Sequence, residues 1–312
     1  MISLPDHFIK TIKDIHKEKG EKWLENFDDL CNRCEIRWNM KILSPFELSY
    51  NFVAPILIDG QKNAVIKLAV PNEEFNSEVE ALKEFKDHEF VKVIDSDINE
   101  GILILEQLLP GNALATIENE QEAMGIAVKV MKNLWKAEPK STKIPSILSR
   151  EKSLSRIVEK FPYGLGPISK EMLLKAFDIF KEMNRTKSTK YLLHGDLHHY
   201  NILNAGENSW KVIDPKGLIG EREYDIIQFL LNNLEGKDIT TTLENRIDLL
   251  VKELNLNKER VLLWGYSHAV LATCWSLEDE GTYNEYFFQT INIFEDLHTN
   301  QFGEGNNVLP LL

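Results

Sequence analysis

Cysteine is scarce in this sequence, with three residues among 312. Cys31 and Cys34 have the CxxC spacing of half a zinc site, but the chain contains no second pair, and Cys274 stands alone. Three cysteines are too few for a disulfide framework. We therefore expect buried free thiols, which pack like small hydrophobic side chains.

Long apolar runs are also missing. No segment approaches the roughly 20 consecutive apolar residues that a membrane-spanning helix needs. The first residues, MISLPDHFIKTIKD, include the charged Asp6 and no apolar stretch of the kind found in signal peptides. These absences predict a cytoplasmic protein that does not bind membranes.

Basic residues are also fewer than acidic ones. The chain has 36 Lys and Arg residues and 49 Asp and Glu residues, which gives a net charge of −13. Nucleic acids and anionic membranes are bound through clustered basic side chains. The charge therefore disfavours both as partners. It favours a small cationic molecule, although acidity also serves solubility alone.

The spacing of the apolar residues divides the chain into two parts. Alternating patterns in roughly the first 110 residues predict about five strands, with one helix between the third and the fourth. Asp59-Gly60 lies between the second and third strands and is typical of a hairpin turn. Helical spacing prevails after Pro110-Gly111, near residues 119–138, 146–161, 168–187 and 221–298.

This pattern predicts an α+β fold with two lobes. A small β-rich N-terminal lobe with N-terminal helices spans residues 1–105, and a larger helical C-terminal lobe spans residues 113–312. Residues 106–112 would form the hinge.

Polar side chains that could take part in catalysis or metal binding cluster in HGDLHHYNIL and VIDPKG. Asp196, Asn201 and Asp214 each lie at the edge of a short apolar run, and a hairpin of those runs would bring Asn201 and Asp214 to the same end. Carboxylate and amide oxygens suit Mg²⁺, which bridges phosphate oxygens. A further carboxylate can orient an attacking hydroxyl, as in phosphoryl transfer.

Phosphoryl transfer on this template also needs an upstream lysine on a strand and a glutamate on a helix. AVIKLAV supplies Lys67 in the third strand, and NSEVEALKEF supplies Glu78 in the following helix. Glu80 is the rival, but it points about 200° away around the helix. Glu78 lies one turn before Leu82, on the face that we expect to be inward.

The order of AVIKLA, EVEAL, LILEQLLPG, HGDLHHYN and IDPKG resembles the aminoglycoside phosphotransferase family, which has the protein-kinase-like fold. Within that family the chain is most similar to the streptomycin 6-kinase and hydroxyurea-resistance kinase group. The resemblance covers roughly residues 40–290 and rests on the order and spacing of motifs that are weak singly.

The resemblance implies a role for each matching residue. Asp196 would orient the substrate hydroxyl, and Asn201 and Asp214 would hold Mg²⁺. Lys67, backed by Glu78, would contact the phosphates of ATP. The backbone of residues 106–108, from Glu106 to Leu108, would contact the adenine edge in a nucleotide-binding N-terminal lobe.

The sequence also departs from protein kinases. Gly195 stands where they have an arginine beside the catalytic aspartate, and no Ala-Pro-Glu segment follows Asp214. A small hydroxyl compound is therefore favoured over a protein substrate. No glycine occurs from Leu43 to Asp59, so the phosphate cover would use other residues, with Ser49, Tyr50 and Asn51 as candidates.

Three histidines, His194, His198 and His199, leave a zinc hydrolase open as an alternative. Adjacent histidines on an extended loop point apart, however, and no HExxH pair exists. We expect His194 to brace the catalytic turn. Asp225 in REYDIIQFL is expected to be structural, as a first-turn acid or, as the resemblance implies, a support for the catalytic loop.

The acidic stretch WSLEDEG ends a predicted amphipathic helix. Its simple interpretation is a solvated helix end. Alternatively, Glu278 and Asp279 would form an electronegative rim for a cationic substrate, and Trp275 would stack on the cation.

The sequence therefore predicts an ATP- and Mg²⁺-dependent kinase that phosphorylates a hydroxyl of an aminoglycoside-like substrate such as streptomycin. A kinase of a housekeeping sugar or amino alcohol is the alternative that uses the same motifs. A nucleotide-binding module without catalysis is the alternative from another class.

Overall fold

The computed structural model describes residues 2–85, 89–140, 142–186, 189–279 and 281–303. These residues form two compact units. The N-terminal unit contains the described residues of Met1–Asn112 together with Leu203–Lys216, and the C-terminal unit contains those of Ala113–Ile202 and Gly217–Leu312. The predicted hinge at 106–112 stays a prediction. The segment from Leu203 to Lys216, which the sequence analysis assigned to the C-terminal part, packs in the N-terminal unit.

The elements follow one another along the chain with short 3₁₀ helices at Leu114–Thr116 and His199–Asn201. The helices and strands are α1 Asp6–Glu25, α2 Phe27–Arg37, β1 Met40–Ile42, β2 Phe52–Ile58, β3 Lys62–Leu68, α3 Glu73–Glu84, β4 Val93–Asp97, β5 Ile102–Glu106, α4 Glu120–Lys132, β6 Lys136–Ala137, α5 Leu148–Lys160, β7 Gly164–Leu165, β8 Ile168–Ser169, α6 Lys170–Thr186, β9 Tyr191–Leu193, β10 Ile202–Gly206, β11 Ser209–Val212, β12 Leu218–Gly220, α7 Arg222–Asp225, α8 Ile227–Leu231, α9 Ile239–Leu254, α10 Lys258–Asp279 and α11 Glu285–Phe302.

The N-terminal unit contains an antiparallel sheet in the order β1-β2-β3-β5-β4, with α3 between β3 and β4 in the chain as predicted. Its side chains alternate between two faces. One face, which includes Ile66 and its cross-strand partners Ala54 and Ile104, packs in a single core with Phe8 of α1 and Phe27 of α2. Lys67 is therefore on the opposite face.

The predicted Asp59-Gly60 turn joins β2 to β3. Asp59 and Gly60 have φ angles of 52° and 67°, and the Gln61 amide donates to the Ile58 carbonyl at 3.1 Å. Glycine and aspartate tolerate this left-handed conformation better than most residues. The turn sets the register in which Val53 faces Lys67.

The C-terminal unit is mostly helical and is organised around α10. This helix packs against α6 and α11, and most of its residues are buried. A small sheet in the order β12-β9-β6 lies in the same unit. The helix predicted at 119–138 ends at Lys132, because residues 136 and 137 pair with β9 instead.

Two further findings concern the cysteines and the length of the helices. Cys31, Cys34 and Cys274 are buried free thiols as predicted, and burial raises their pKa values to about 12, 11 and 12. Within the described part of the chain, no helix is long and apolar enough to cross a membrane.

Two helical glycines give a matched test of the packing. A Cβ on Gly265 of α10 would lie 2.2 Å from the Phe294 ring, whereas a Cβ on the exposed Gly125 of α4 would meet nothing within 4 Å. We expect Gly265→Ala to lower the free energy of unfolding by about 1–3 kcal/mol through overpacking. Gly125→Ala should raise it by about 0.5–1 kcal/mol through helix propensity. Urea denaturation of both variants is the measurement, and equal effects would contradict this packing of α10 on α11.

Candidate active site

Lys67 lies buried on the N-terminal sheet, with 5% of its surface exposed. Its Nζ donates to both carboxylate oxygens of Glu78, at 2.7 and 2.8 Å. Glu78 belongs to the buried face of α3 with Val79 and Leu82, which explains why it, and not Glu80, meets the lysine. The ion pair predicted from the sequence is therefore present.

Asp214 is the second carboxylate beside Lys67, with Oδ1 at 3.3 Å from Nζ. Burial alone would lower the pKa of Lys67, but Asp214 and Glu78 outweigh it and hold that pKa above its ordinary value. The lysine is therefore a permanent cation facing two acids.

The backbone presents Asp214 in an unusual conformation, with a φ of 55°. Two hydrogen bonds hold the strand that precedes it: Val212 N–H donates to Glu89 O at 2.7 Å, and Val91 N–H donates to Val212 O at 2.9 Å. Beyond Asp214, the Lys216 ammonium contacts Glu74 in the first turn of α3. The segment is thus tied to β3 through Lys67–Asp214 and to α3 through Glu74–Lys216.

The other residues predicted to contact nucleotide lie in two loops of this unit. Ser49 is exposed in the loop between β1 and β2, next to the buried Leu48, whose carbonyl is 3.0 Å from His7 Nε2. The Glu106 side chain accepts from Lys92 N at 2.8 Å and contacts the Lys211 ammonium. Leu108 follows β5 and is half-buried. Their contacts with nucleotide stay predictions.

In the C-terminal unit, strand β9 leads into the predicted catalytic turn, and Asp225 anchors that turn. The buried carboxylate of Asp225 accepts from His194 N at 3.0 Å, from Gly195 N at 2.7 Å and from Trp135 Nε1 at 2.9 Å. Burial raises the pKa of Asp225, and these three donors oppose the shift. Asp225 therefore supports the catalytic turn, as the resemblance implied.

Asp196 and Asn201 are brought together by the turn itself. Asn201 Nδ2 donates to the Asp196 carbonyl at 3.0 Å, and Asp196 N donates to His194 Nδ1 at 3.1 Å. His194 is fully buried and braces the turn, as predicted. Because the Asn201 amide nitrogen is used internally, its oxygen is the atom available to a ligand.

The backbone geometry at Gly195 explains why a glycine stands here where protein kinases have an arginine. Its φ is 81°, a left-handed conformation in which an arginine would be strained. Its amide must also reach Asp225. Glycine satisfies both conditions at this position.

The structure does not support a zinc site at the three histidines. Among the described residues, no group of three or more His, Cys, Asp or Glu side chains is arranged to hold a metal ion. His199 is instead buried and stacked on Phe229, with ring centroids 3.9 Å apart. Burial, followed by the charge of Arg246, lowers its pKa to about 3, so the ring is neutral.

An ion pair between a buried arginine and a half-buried glutamate lies beside Phe229. Arg246 is 1% exposed, its Nε contacts Glu120 Oε1 at 2.6 Å, and its Nη1 donates to the Asn232 carbonyl at 2.7 Å. Lys237 also contacts Glu120, at 2.7 Å. Phe229 lies between Arg246 and His199 and so links this ion pair to the 3₁₀ turn that carries Asn201.

The predicted substrate residues Trp275, Glu278 and Asp279 lie in the last turns of α10, and residue 280 of the same stretch is outside the described residues. The Arg150 guanidinium lies over the Trp275 ring, 5.0 Å from its centroid. Glu278 contacts Arg156 at 2.8 Å and Lys160 at 2.9 Å. Asp279 is exposed. Trp275 and Glu278 thus already contact cations of the same chain. A role for the three residues in substrate binding stays a prediction.

Sequence reasoning missed Trp135 and Arg246. Nothing in MKNLWKAEP marks Trp135 as a partner of a residue 90 positions away. Arg246 did leave a signal, since it lies on the apolar face of α9 with Leu243, Ile247 and Leu250. A charge at a core position of an amphipathic helix indicates a buried partner.

Asp225→Asn tests the anchor of the catalytic turn. The amide would present N–H groups to a site with three N–H donors, so at least one donor would lose its acceptor. We expect turnover to fall by about 10–100-fold. Asp238→Asn, an exposed N-cap of α9, is the control and should behave as wild type, because asparagine caps equally well. Full activity of folded Asp225→Asn would contradict the anchoring role.

Glu120→Gln tests the Arg246–Glu120 ion pair through the pH dependence of stability. Arg246 and Lys237 outweigh desolvation and lower the pKa of Glu120 from 4.5 to about 2. The ionised carboxylate therefore stabilises the fold above pH 4.5, and this contribution is lost as the pH falls through about 2. At pH 7 the variant should lose about 1–2 kcal/mol, since Glu120 is partly exposed.

The measurement is urea unfolding at pH values from 7 downward. The difference between wild type and Glu120→Gln should shrink steadily below pH 4.5. Glu122→Gln, exposed on the same turn of α4, is the control and should show little difference. A gap that stays constant with pH would contradict the pairing.

Comparison with known proteins identifies the family of this chain. The family model described as aminoglycoside/hydroxyurea antibiotic resistance kinase matches residues 45–280. The streptomycin 6-kinase of Streptomyces griseus is 25% identical over 287 residues, which cover 89% of this chain and 92% of that protein. The hydroxyurea phosphotransferase of Kitasatospora aureofaciens is 27% identical over 286 residues, which cover 89% and 82%.

Solved structures confirm the fold. Choline kinase LicA from Streptococcus pneumoniae superposes with a TM-score of 0.64 at 13% identity, covering 88% of this chain and 99% of that chain. An aminoglycoside phosphotransferase crystallised with ADP and hygromycin B gives a TM-score of 0.61 at 12% identity, covering 88% and 99%. The predicted α+β, protein-kinase-like fold is therefore correct. The chain belongs to the aminoglycoside/hydroxyurea antibiotic resistance kinase family and is a small-molecule phosphotransferase that acts on a hydroxyl group.

Proposed function

We propose that this protein transfers the γ-phosphoryl group of ATP to a hydroxyl of an aminoglycoside-like acceptor, with Mg²⁺ as cofactor. The observation that carries the proposal is the buried Lys67 with its two carboxylates, Glu78 and Asp214. A lysine held in this way is a fixed positive charge for nucleotide phosphates. The relatives named for streptomycin and hydroxyurea support a small acceptor.

Nucleotide binding is assigned to the N-terminal unit. Lys67 would contact the α- and β-phosphates, and the loop around Ser49 would cover them. The backbone from Glu106 to Leu108 would contact the base. LicA crystallised with AMP and the phosphotransferase crystallised with ADP share this fold and support the use of an adenine nucleotide.

Asn201 and Asp214 are the residues that would hold Mg²⁺. One offers an amide oxygen, since its nitrogen is bonded to the Asp196 carbonyl, and the other offers a carboxylate that is 45% exposed. Mg²⁺ binds few protein oxygens and keeps several waters, and each of these two oxygens is of the hard kind that it prefers. Bound there, the ion would neutralise charge on the phosphates.

Asp196 is the proposed base. It would orient the acceptor hydroxyl and accept its proton as the oxygen attacks the γ-phosphorus. The His194 and Gly195 amides donate to the Asp225 carboxylate, and the Asp196 amide donates to His194 Nδ1. These hydrogen bonds position the Asp196 carboxylate. Catalysis then depends on orientation and charge, without a covalent enzyme intermediate.

A second candidate is a kinase of a sugar or amino alcohol metabolite. The observation that favours it is the state of the predicted acidic rim, because Glu278 and Trp275 already contact Arg156, Lys160 and Arg150. This rim therefore offers a polycationic antibiotic less attraction than the sequence predicted. Both candidates use the same catalytic residues.

An ADP-release assay tests the function directly. Purified protein with Mg²⁺-ATP is offered streptomycin, other aminoglycosides, hydroxyurea, sugars and amino alcohols. We expect Asp196→Asn to lower turnover by at least 100-fold, roughly the contribution of a positioned base, while nucleotide affinity is largely kept. Asp214→Asn should also weaken Mg²⁺-nucleotide binding, measured by calorimetry.

The outcome separates the candidates. Preference for streptomycin supports the antibiotic kinase, and preference for a sugar or amino alcohol supports the metabolite kinase. ATP binding without transfer to any acceptor would favour a non-catalytic nucleotide-binding module. Unchanged turnover in Asp196→Asn would overturn the assignment of the base.

A further inference from the structure

Tyr200 is an exposed aromatic residue inside the predicted catalytic turn. It lies between His199 and Asn201 in the 3₁₀ helix that follows Asp196, and 55% of its surface is exposed. Successive side chains of a 3₁₀ helix point about 120° apart. The His199 ring stacks on Phe229, and the Asn201 amide donates to the Asp196 carbonyl. Of the three residues in this helix, Tyr200 is therefore the one that faces solvent.

Two distances join the Tyr200 ring to the proposed base. His198 Nε2 lies 4.0 Å from Asp196 Oδ1, and the centroids of the His198 and Tyr200 rings are 6.0 Å apart. The side chains of Asp196 and His198 are 29% and 19% exposed, so solvent reaches all three groups. An acceptor whose hydroxyl lies at Asp196 therefore needs to extend past only one imidazole ring to reach Tyr200.

The cations of the chain leave the Tyr200 ring uncovered. Among the residues that the structure describes, the contact of this ring with an aromatic or charged group is the edge-on approach of His198, at an interplanar angle of 67°. Trp275, the ring that the sequence predicted for the substrate cation, is instead covered by the Arg150 guanidinium. Tyr200 thus offers an open ring close to Asp196, whereas the ring of Trp275 already has a cation.

An open tyrosine ring is suited to a positively charged group. The face of an aromatic ring carries negative charge density and attracts an ammonium or a guanidinium within about 6 Å of its centroid. A neutral polyol gains no such attraction. Asn201, which would hold Mg²⁺, is buried while its neighbour Tyr200 is exposed, so the metal and the cation of an acceptor would bind on different sides of the 3₁₀ helix.

We infer that Tyr200 is a specificity-determining residue that binds an ammonium or guanidinium group of the acceptor on the face of its ring. The inference rests on the proposed transfer to an acceptor held at Asp196. It moves the cation contact that the sequence predicted at Trp275 to the catalytic turn itself. Acceptors that carry a cation, whether an antibiotic or an amino alcohol, would be preferred over neutral sugars.

Calorimetric titrations test the inference without turnover. With Mg²⁺-ADP saturating the nucleotide site, the probes are streptomycin, the diguanidino cyclitol streptidine, choline, and scyllo-inositol as a neutral cyclitol. We expect wild-type protein to bind at least one cationic probe at millimolar concentrations, and to bind scyllo-inositol about tenfold more weakly or less. Tyr200→Leu keeps an apolar side chain but removes the ring, and it should weaken binding of that cation about 3- to 30-fold. Tyr200→Phe keeps the ring and should retain most of the affinity.

Tyr163→Leu is the matched control, because Tyr163 is another tyrosine of the C-terminal unit, 90% exposed, in the turn between α5 and β7. It should bind the probes as wild type does. Three results would each overturn the inference: equal cation affinities in wild type and Tyr200→Leu, a loss in Tyr200→Phe as large as in Tyr200→Leu, or no cation binding by wild type. Streptidine and choline separate a guanidinium site from an ammonium site.

Steady-state ADP release with the preferred cationic acceptor keeps this inference distinct from the proposed function. Tyr200→Leu should raise KM about 3- to 30-fold and leave kcat within about threefold, a split that a distorted catalytic turn would not produce. Cation binding that depends on Tyr200, without phosphoryl transfer in any assay, would refute the function alone. Transfer to a cationic acceptor with an unchanged KM in Tyr200→Leu would refute the inference alone. Thermal unfolding of each variant shows whether a loss of binding reflects a loss of fold.

Discussion

Lys67 can be buried in the N-terminal sheet only because two carboxylates face its ammonium group. Removing an ammonium from water costs several kcal/mol, and close acids with hydrogen-bonding geometry are needed to offset that cost. Glu78 supplies a bidentate contact from α3, and Asp214 supplies a second charge from the segment that follows β11. This requirement couples the sheet, the helix and a segment 147 residues away. The positions of all three follow from the neutralisation of one charge.

The C-terminal unit meets the same constraint by a different route. Asp225 is a buried carboxylate without a cation, and it is satisfied by two consecutive backbone amides and an indole N–H. Backbone donors cannot rotate away as a lysine can, so the chain from His194 to Asp196 is held rigidly. A fixed turn is what a phosphotransferase needs to aim a hydroxyl at phosphorus. Glu78 and Asp225 are thus both buried carboxylates whose oxygens accept hydrogen bonds from fixed donors.

The surface around α5 and α10 shows why net charge is a poor guide to the acceptor. Side chains that would attract a cation are engaged by Arg156, Lys160 and Arg150. Net charge is a property of the surface as a whole, whereas recognition depends on the few groups within reach of the ligand.

The sequence by itself determined the α+β architecture and the succession of five strands with one helix between the third and the fourth. It also determined the Asp59-Gly60 turn and the contact of Lys67 with Glu78. Each depends on local periodicity, turn chemistry or one helical face, which neighbouring residues encode. Only the tertiary structure decided that Trp135 donates a hydrogen bond to Asp225 and that Arg246 pairs with Glu120. It also decided that Glu278 and Trp275 contact cations of the same chain. These contacts join residues about 90 to 126 positions apart, and periodicity carries no information about which distant side chain will fill a buried site. A buried charge reveals that it needs a partner, but packing alone selects the partner.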